Sequence, residues 1–237
     1  MQNMKEKIRK KVIVILVLLM AITGCVLIGL ISNSSKEVDY FMLVDDSQTD
    51  IVKDYKYYQN INKDLRMIIL FTDRELPVVQ SKDNEDYVRI SFFKTKDSLG
   101  TIMIDYTSSI EADNVIIHGH SSIHNNYMFT PFKNKDFIKA NQIFYIDFGS
   151  GAIEYQIISY YPINWDDDPD YSMLQPEFRN IDVLNEYIGE AIAKSTIDFR
   201  YEHENKIEQI ITFITCDTRY ENARFIVIAV PKKEGIE

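Results

Sequence analysis

From Val12 to Ile31 the chain runs for 20 residues without a charge, and only Thr23 among them carries a conventional side-chain hydrogen-bonding group. At about 1.5 Å per helical residue this run spans roughly 30 Å of hydrocarbon, which predicts one membrane crossing. Lys5, Lys7, Arg9, Lys10 and Lys11 precede it and Ser32-Asn33-Ser34-Ser35 follow. The positive-inside bias therefore predicts a cytoplasmic amino terminus and an external body. Beyond the apolar run the pattern changes twice. Residues 33–65 are polar and helix-tolerant, with Tyr55, Tyr57, Tyr58 and Leu65 placed to cover one side of a short helix. After them come short β-branched and aromatic runs at Met67–Phe71, Leu76–Val79, Tyr87–Phe93, Thr101–Ile104 and Asn114–Ile117, each of strand length and bounded by charged or turn residues.

Gln142–Phe148 and Ala152–Tyr160 flank Gly149-Ser150-Gly151, two alternating runs about a short glycine turn, which predicts a hairpin. With no third glycine and no helix after it, that turn does not read as a nucleotide-binding loop. One long helix is predicted over Val183–Lys194, with Asp182 as its N-cap and Val183, Leu184, Tyr187, Ile188, Ala191 and Ile192 on one face. Strands at Ile207–Thr215 and Arg224–Val230 complete the chain. Many short strands with one late helix predict a mainly β, α+β fold: a closed or nearly closed β-barrel with helical decoration. The expected organisation is a basic tail and anchor over 1–32, a stalk with a helical segment over 33–65, and the barrel domain over 66–237.

The apolar run exceeds the usual signal-peptide core of about 7–15 residues, and no small-residue cleavage site follows it, so a retained anchor is the expectation. Ile22-Thr23-Gly24-Cys25 also reads as a lipobox with Cys25 as the acylated residue, although Val26–Ile31 stays apolar where a mature lipoprotein turns polar. Either way the body is tethered. Charge narrows the partners. The chain holds 26 basic and 36 acidic residues, and past Ser32 the balance is 21 against 35. An acidic body without a basic stripe does not predict a nucleic-acid surface.

Of the 2 cysteines one lies inside the anchor, so the exported body holds Cys216 alone and builds no internal disulfide. A lone exported thiol is either a small buried hydrophobe or a reactive group. The 4 histidines are His118, His120, His124 and His203. His118 and His120 share a face if the strand stays extended, and with His124 they have the ligand chemistry of zinc, but no carboxylate stands at matching spacing. His203, between Glu202 and Glu204, reads as a surface residue. Asp166-Asp167-Asp168-Pro169-Asp170 lacks the glycine and distal glutamate of an EF-hand loop and reads as a solvated acidic loop, with Trp165 beside it as a packing residue. His120 and Cys216 are the parts of a second chemistry. An imidazole or guanidinium beside a thiol favours the thiolate that acyl transfer needs. Arg224 opens the next strand 8 residues after Cys216, and a short antiparallel return brings it alongside, where it can meet a developing oxyanion. Paired with a surface carboxylate, the same arginine would be only structural.

Six segments, in this order, resemble the class B sortases: Leu76-Pro77-Val78-Val79-Gln80 with Asp83-Asn84 and Tyr87; Gly100–Asp105; His118-Gly119-His120; Met128-Phe129; Thr212-Phe213-Ile214-Thr215-Cys216; and Ala223-Arg224-Phe225. The likeness covers about Leu65 to Val230. It implies a sortase-type closed β-barrel of about eight strands, with N-terminal helices and one long helix before the cysteine strand. It also implies a cysteine transpeptidase with Cys216 as nucleophile, His120 as general acid and base and Arg224 as stabiliser of the oxyanion, without metal or cofactor. Ile214, Thr215 and Met128 are the implied substrate contacts. The implied partners are secreted proteins with an Asn-Pro-x-Thr-like carboxy-terminal signal and a cell-wall precursor amine. Two features depart from the family pattern. His118 stands where relatives carry an aromatic or aliphatic residue, and Ile214 replaces the serine of Thr-Leu-Ser-Thr-Cys. The Ile214 substitution keeps a catalytically silent binding domain as an alternative, beside a histidine-metal hydrolase and a sortase that releases rather than attaches its substrate.

Overall fold

The computed structural model describes residues 54–122, 126–167, 174–202, 206–217 and 221–232. The expected anchor over Val12–Ile31, the lipobox cysteine, His124, His203 and the Asp168-Pro169-Asp170 segment lie outside them. Among the described residues no helix is long and apolar enough to cross a membrane.

A short helix, α1 (Tyr55–Ile61), begins at Asp54, whose carboxylate accepts a hydrogen bond from the Tyr57 amide at 2.9 Å. Eight strands then close a barrel: β1 (Leu65–Phe71), β2 (Arg74–Val79), β3 (Met103–Ile104), β4 (Asn114–His118), β5 (Ile143–Asp147), β6 (Ala152–Asn164), β7 (Ile210–Cys216) and β8 (Ala223–Pro231), with α2 (Lys135–Ala140) before β5 and α3 (Ile181–Lys194) before β7. Around the barrel the order is β1-β2-β3-β4-β7-β8-β6-β5, and β5 pairs back onto β1. Only β2–β3 and β4–β7 are parallel.

Alternation along the strands sorts side chains onto two faces. On β7, Phe213 joins Phe129, Phe132 and Phe144 in a ring cluster with centroid separations of 5.5, 5.5 and 5.8 Å. Ile210 and Ile214, on the other face, pack with Ile226 and Ile228 of β8 beneath Leu184, Ile188 and Ala191 of α3. Cys216, Arg224 and His118 fall on the α3-facing side of their strands, at the end of the sheet.

Four sequence expectations change. Tyr87–Phe93 is not a strand: it forms a loop with one bridge, Ile90 to Lys96. Tyr87 and Phe92 of this loop are buried, Tyr87 donating to Asp64 Oδ2 at 2.6 Å and accepting from Asn62 at 2.9 Å. Gly100 closes this loop at φ +67°, where a Cβ would stand 2.2 Å from the Tyr87 carbonyl oxygen. The long helix is capped by Asn180, not Asp182: its side chain accepts from the Val183 amide at 3.0 Å. Val183 is exposed, because the stripe Leu184, Ile188, Ala191 takes the buried face. Finally, β7 starts at Ile210 rather than Ile207. The Ile207 amide and carbonyl are both bonded by the buried Asn185 side chain, at 3.1 and 3.0 Å, instead of by a neighbouring strand.

Candidate active site

Cys216 ends β7 and is paired in register with Arg224 of β8. Directly opposed residues of an antiparallel pair present their side chains on the same face, so the thiol and the guanidinium are neighbours through backbone pairing alone. The Asp217 amide donates to the Ala223 carbonyl at 2.9 Å and closes the connection behind them. The Arg224 guanidinium donates to the Ala223 carbonyl at 2.9 Å and sits 5.4 Å from the centre of the Trp165 ring. Among the described residues no carboxylate pairs with it. Trp165 is in turn held to the connection, its amide donating to the Asn222 carbonyl at 2.9 Å, while the Asn222 side chain donates to Asp166.

His120 arrives from the parallel neighbour β4. The Gly119 amide donates to the Ile214 carbonyl at 3.1 Å and extends the β4–β7 ladder past His118. Gly119 is dictated by packing, since a Cβ there would lie 2.4 Å from the Phe129 ring. The Ser121 hydroxyl donates to the Cys216 carbonyl at 2.6 Å, tying the histidine's loop to the nucleophile's backbone. Burial pushes the His120 pKa below the ordinary histidine value, opposed by a hydrogen bond to the Val88 backbone, lowered further by Arg89 and raised by Asp97. Its imidazole is therefore neutral at pH 7.

A pocket of about 240 Å³ joins these groups, lined by Cys216, His120, Arg224, Ile214 and Thr215 and walled by Asn84, Val88, Thr101, Met103 and His118. Cys216 is partly exposed there and is a free thiol. Thr215 is buried, and its Oγ1 has no hydrogen-bond partner. Met128 is buried outside the pocket lining and takes a positive φ of 44°. Among the described residues no three carboxylate, thiol or imidazole groups stand together as metal ligands.

Sequence reasoning missed the polar wall. His118 Nε2 lies 2.8 Å from Asp105 Oδ2. Asp105 is buried, which alone would raise its pKa. Hydrogen bonds from His118, Thr107 and Asn84 overcome this and hold the carboxyl well below the usual carboxylate range. The available signals were Asn84 and Asp105 at the ends of two segments otherwise read as strand and turn.

A conserved-domain model described as "Sortase domain" matches residues 68–232, and the chain belongs to the sortase family. Sortases are cysteine transpeptidases, and the relatives place this one in class B. Sortase B of Listeria monocytogenes is 29% identical over 178 residues, 71% of this chain and 70% of that protein. The Clostridium perfringens sortase B structure superposes with a TM-score of 0.68 at 29% identity, covering 76% of this chain and 100% of that one. A Staphylococcus aureus sortase B–substrate complex superposes with a TM-score of 0.66 at 26% identity, covering 76% and 84%.

Proposed function

We propose that this sortase is a single-pass membrane protein with an external catalytic domain. It cleaves an Asn-Pro-x-Thr-like carboxy-terminal signal after its threonine and passes the acyl group to a cell-wall precursor amine. The observation that carries this reading is the in-register pairing of Cys216 with Arg224 at a pocket that also holds His120. His120, neutral at pH 7, takes the thiol proton. The thiolate attacks the threonine carbonyl, forming the C–S bond while the carbonyl electron pair moves onto oxygen beside the Arg224 guanidinium. The C–N bond then breaks, and His120 returns the proton to the leaving amine. An incoming amine attacks the thioester and gives a proton to His120; the C–S bond breaks, and the departing thiolate takes that proton back from His120. A sortase B complexed with triglycine supports a glycine-type amine as the acceptor. The uncharged run Val12–Ile31 supports the tether, which would hold enzyme, client and lipid-linked acceptor at one surface.

The test is to incubate the full chain in detergent with an Asn-Pro-x-Thr peptide and search for an acyl adduct on Cys216 by mass spectrometry. The adduct is expected on the native chain and absent from Cys216→Ala. Folded native protein that forms no adduct across a peptide panel overturns the proposal.

A further inference from the structure

The reaction above uses one imidazole of the pocket and leaves a second unassigned. His118 closes β4 and pairs in register with Met103 of β3 and Ile214 of β7. It therefore shares a face with Ile214 and, one alternation further along β7, with Cys216. Its Nε2 meets Asp105, which is fixed from several sides: Asn84 Nδ2 and the Thr107 amide donate to its carboxylate at 2.8 and 2.9 Å, and its own amide donates to the Ile116 carbonyl at 2.8 Å. An ionised carboxylate only accepts, so Nε2 carries the proton, and in the neutral tautomer that this contact selects Nδ1 is the acceptor.

That acceptor makes no hydrogen bond among the described residues, and the side chain keeps 24% of its surface exposed. The neighbouring polar groups are engaged. Asn84 spends its amide nitrogen on Asp105 and its oxygen on the Tyr106 amide at 2.9 Å, and the Thr101 hydroxyl donates to the Ile90 carbonyl at 2.7 Å. Val88, Met103 and Ile214 supply the rest of that wall as hydrocarbon. A peptide lying across it meets, in His118 Nδ1, an acceptor without a partner among the described residues.

We propose that His118 is a specificity-determining residue, whose Nδ1, oriented by the Asp105 contact at Nε2, accepts a hydrogen bond from an N–H of the bound peptide beside Ile214. The contact rests on the peptide-binding reading of the pocket. The N–H comes from a side-chain carboxamide or from a backbone amide.

The test measures peptide affinity by fluorescence anisotropy on the full chain in detergent, with Cys216→Ala present so that no turnover intervenes. One net hydrogen bond corresponds to a loss of about two- to twelve-fold in affinity for His118→Phe. His118→Gln, which keeps an acceptor, is expected to recover part of the loss. Two peptide series locate the donor: one replaces the signal asparagine by leucine, the other replaces single backbone amides by esters. The replacement that removes the responsible N–H lowers affinity on the His118 background and has no effect on H118F. No coupling in either series, or no peptide binding by a folded chain, overturns the proposal. If H118F does not fold, the same cycle runs with His118→Leu, which also removes the acceptor, against the two series. Acylation of the native chain is read separately. An adduct without coupling overturns this contact alone, whereas coupling without an adduct upholds it and overturns the transpeptidase reading.

Discussion

Asp105 shows what a single carboxylate contributes when its hydrogen bonds are made in the folded state only. Its folded pKa lies below the unfolded value of about 3.9, so the unfolded chain binds the proton more readily. The stabilisation is therefore complete above the ordinary carboxylate range and is lost as pH falls through the folded value. Asp105→Asn is expected to lower the urea midpoint at pH 7 by the equivalent of about 1.5–3 kcal/mol, the range for hydrogen bonds to a charged group. The gap between native and variant midpoints should narrow below about pH 4, as Asp105 in the unfolded chain takes up a proton while the folded carboxyl stays ionised. A constant gap from pH 7 to pH 3 would mean that the carboxylate charge is not what stabilises. His120 responds in the opposite chemical sense, being half-buried, and keeps base character at pH 7 because burial disfavours its charged form.

At the scale of elements, the junction between α3 and β7 depends on Asn185. Its amide donates to the Ile207 carbonyl and its oxygen accepts from the Ile207 amide, holding the entry to the cysteine strand against the helix. Asn185→Ala leaves both backbone groups buried and unpaired, for an expected loss of about 2–3 kcal/mol in urea unfolding with an unchanged slope. This junction also shows where the sequence stops being legible. The β5–β6 hairpin could be read because Gly149 and Gly151 announce it, and both take positive φ. The pairing of Cys216 with Arg224 could be read because a short return between strands leaves little freedom. Ile207 could not be separated from strand by composition, since a side-chain clamp and a ladder bury the same isoleucine. Tyr87–Phe93 fails for a related reason: a loop that buries Tyr87 and Phe92 needs the same aromatic residues as a strand. The His118–Asp105 contact spans 13 residues and exists only once β3 and β4 pair, so no local pattern announces it.

For the whole molecule, charge and the proposed tether would work against each other. Past Ser32 the chain carries 21 basic and 35 acidic residues, so an anionic bilayer repels the body that the anchor would hold against it. Cleavage of a vesicle-bound signal peptide is expected to slow at least ten-fold when residues 1–32 are removed, with the deficit largest at low salt, while cleavage of the same peptide free in solution is unchanged. Equal loss on both substrates would assign the segment to folding rather than to tethering.

The chain contains 1 tryptophan, and that indole lies under the guanidinium expected to meet the substrate carbonyl. Its emission comes from a single fluorophore next to the cation, so an arginine drawn away from the ring would change the light with no label attached. Evolution has in effect left a spectroscopic window on the oxyanion side of the groove, through which each acylation and release could be timed in the unmodified enzyme.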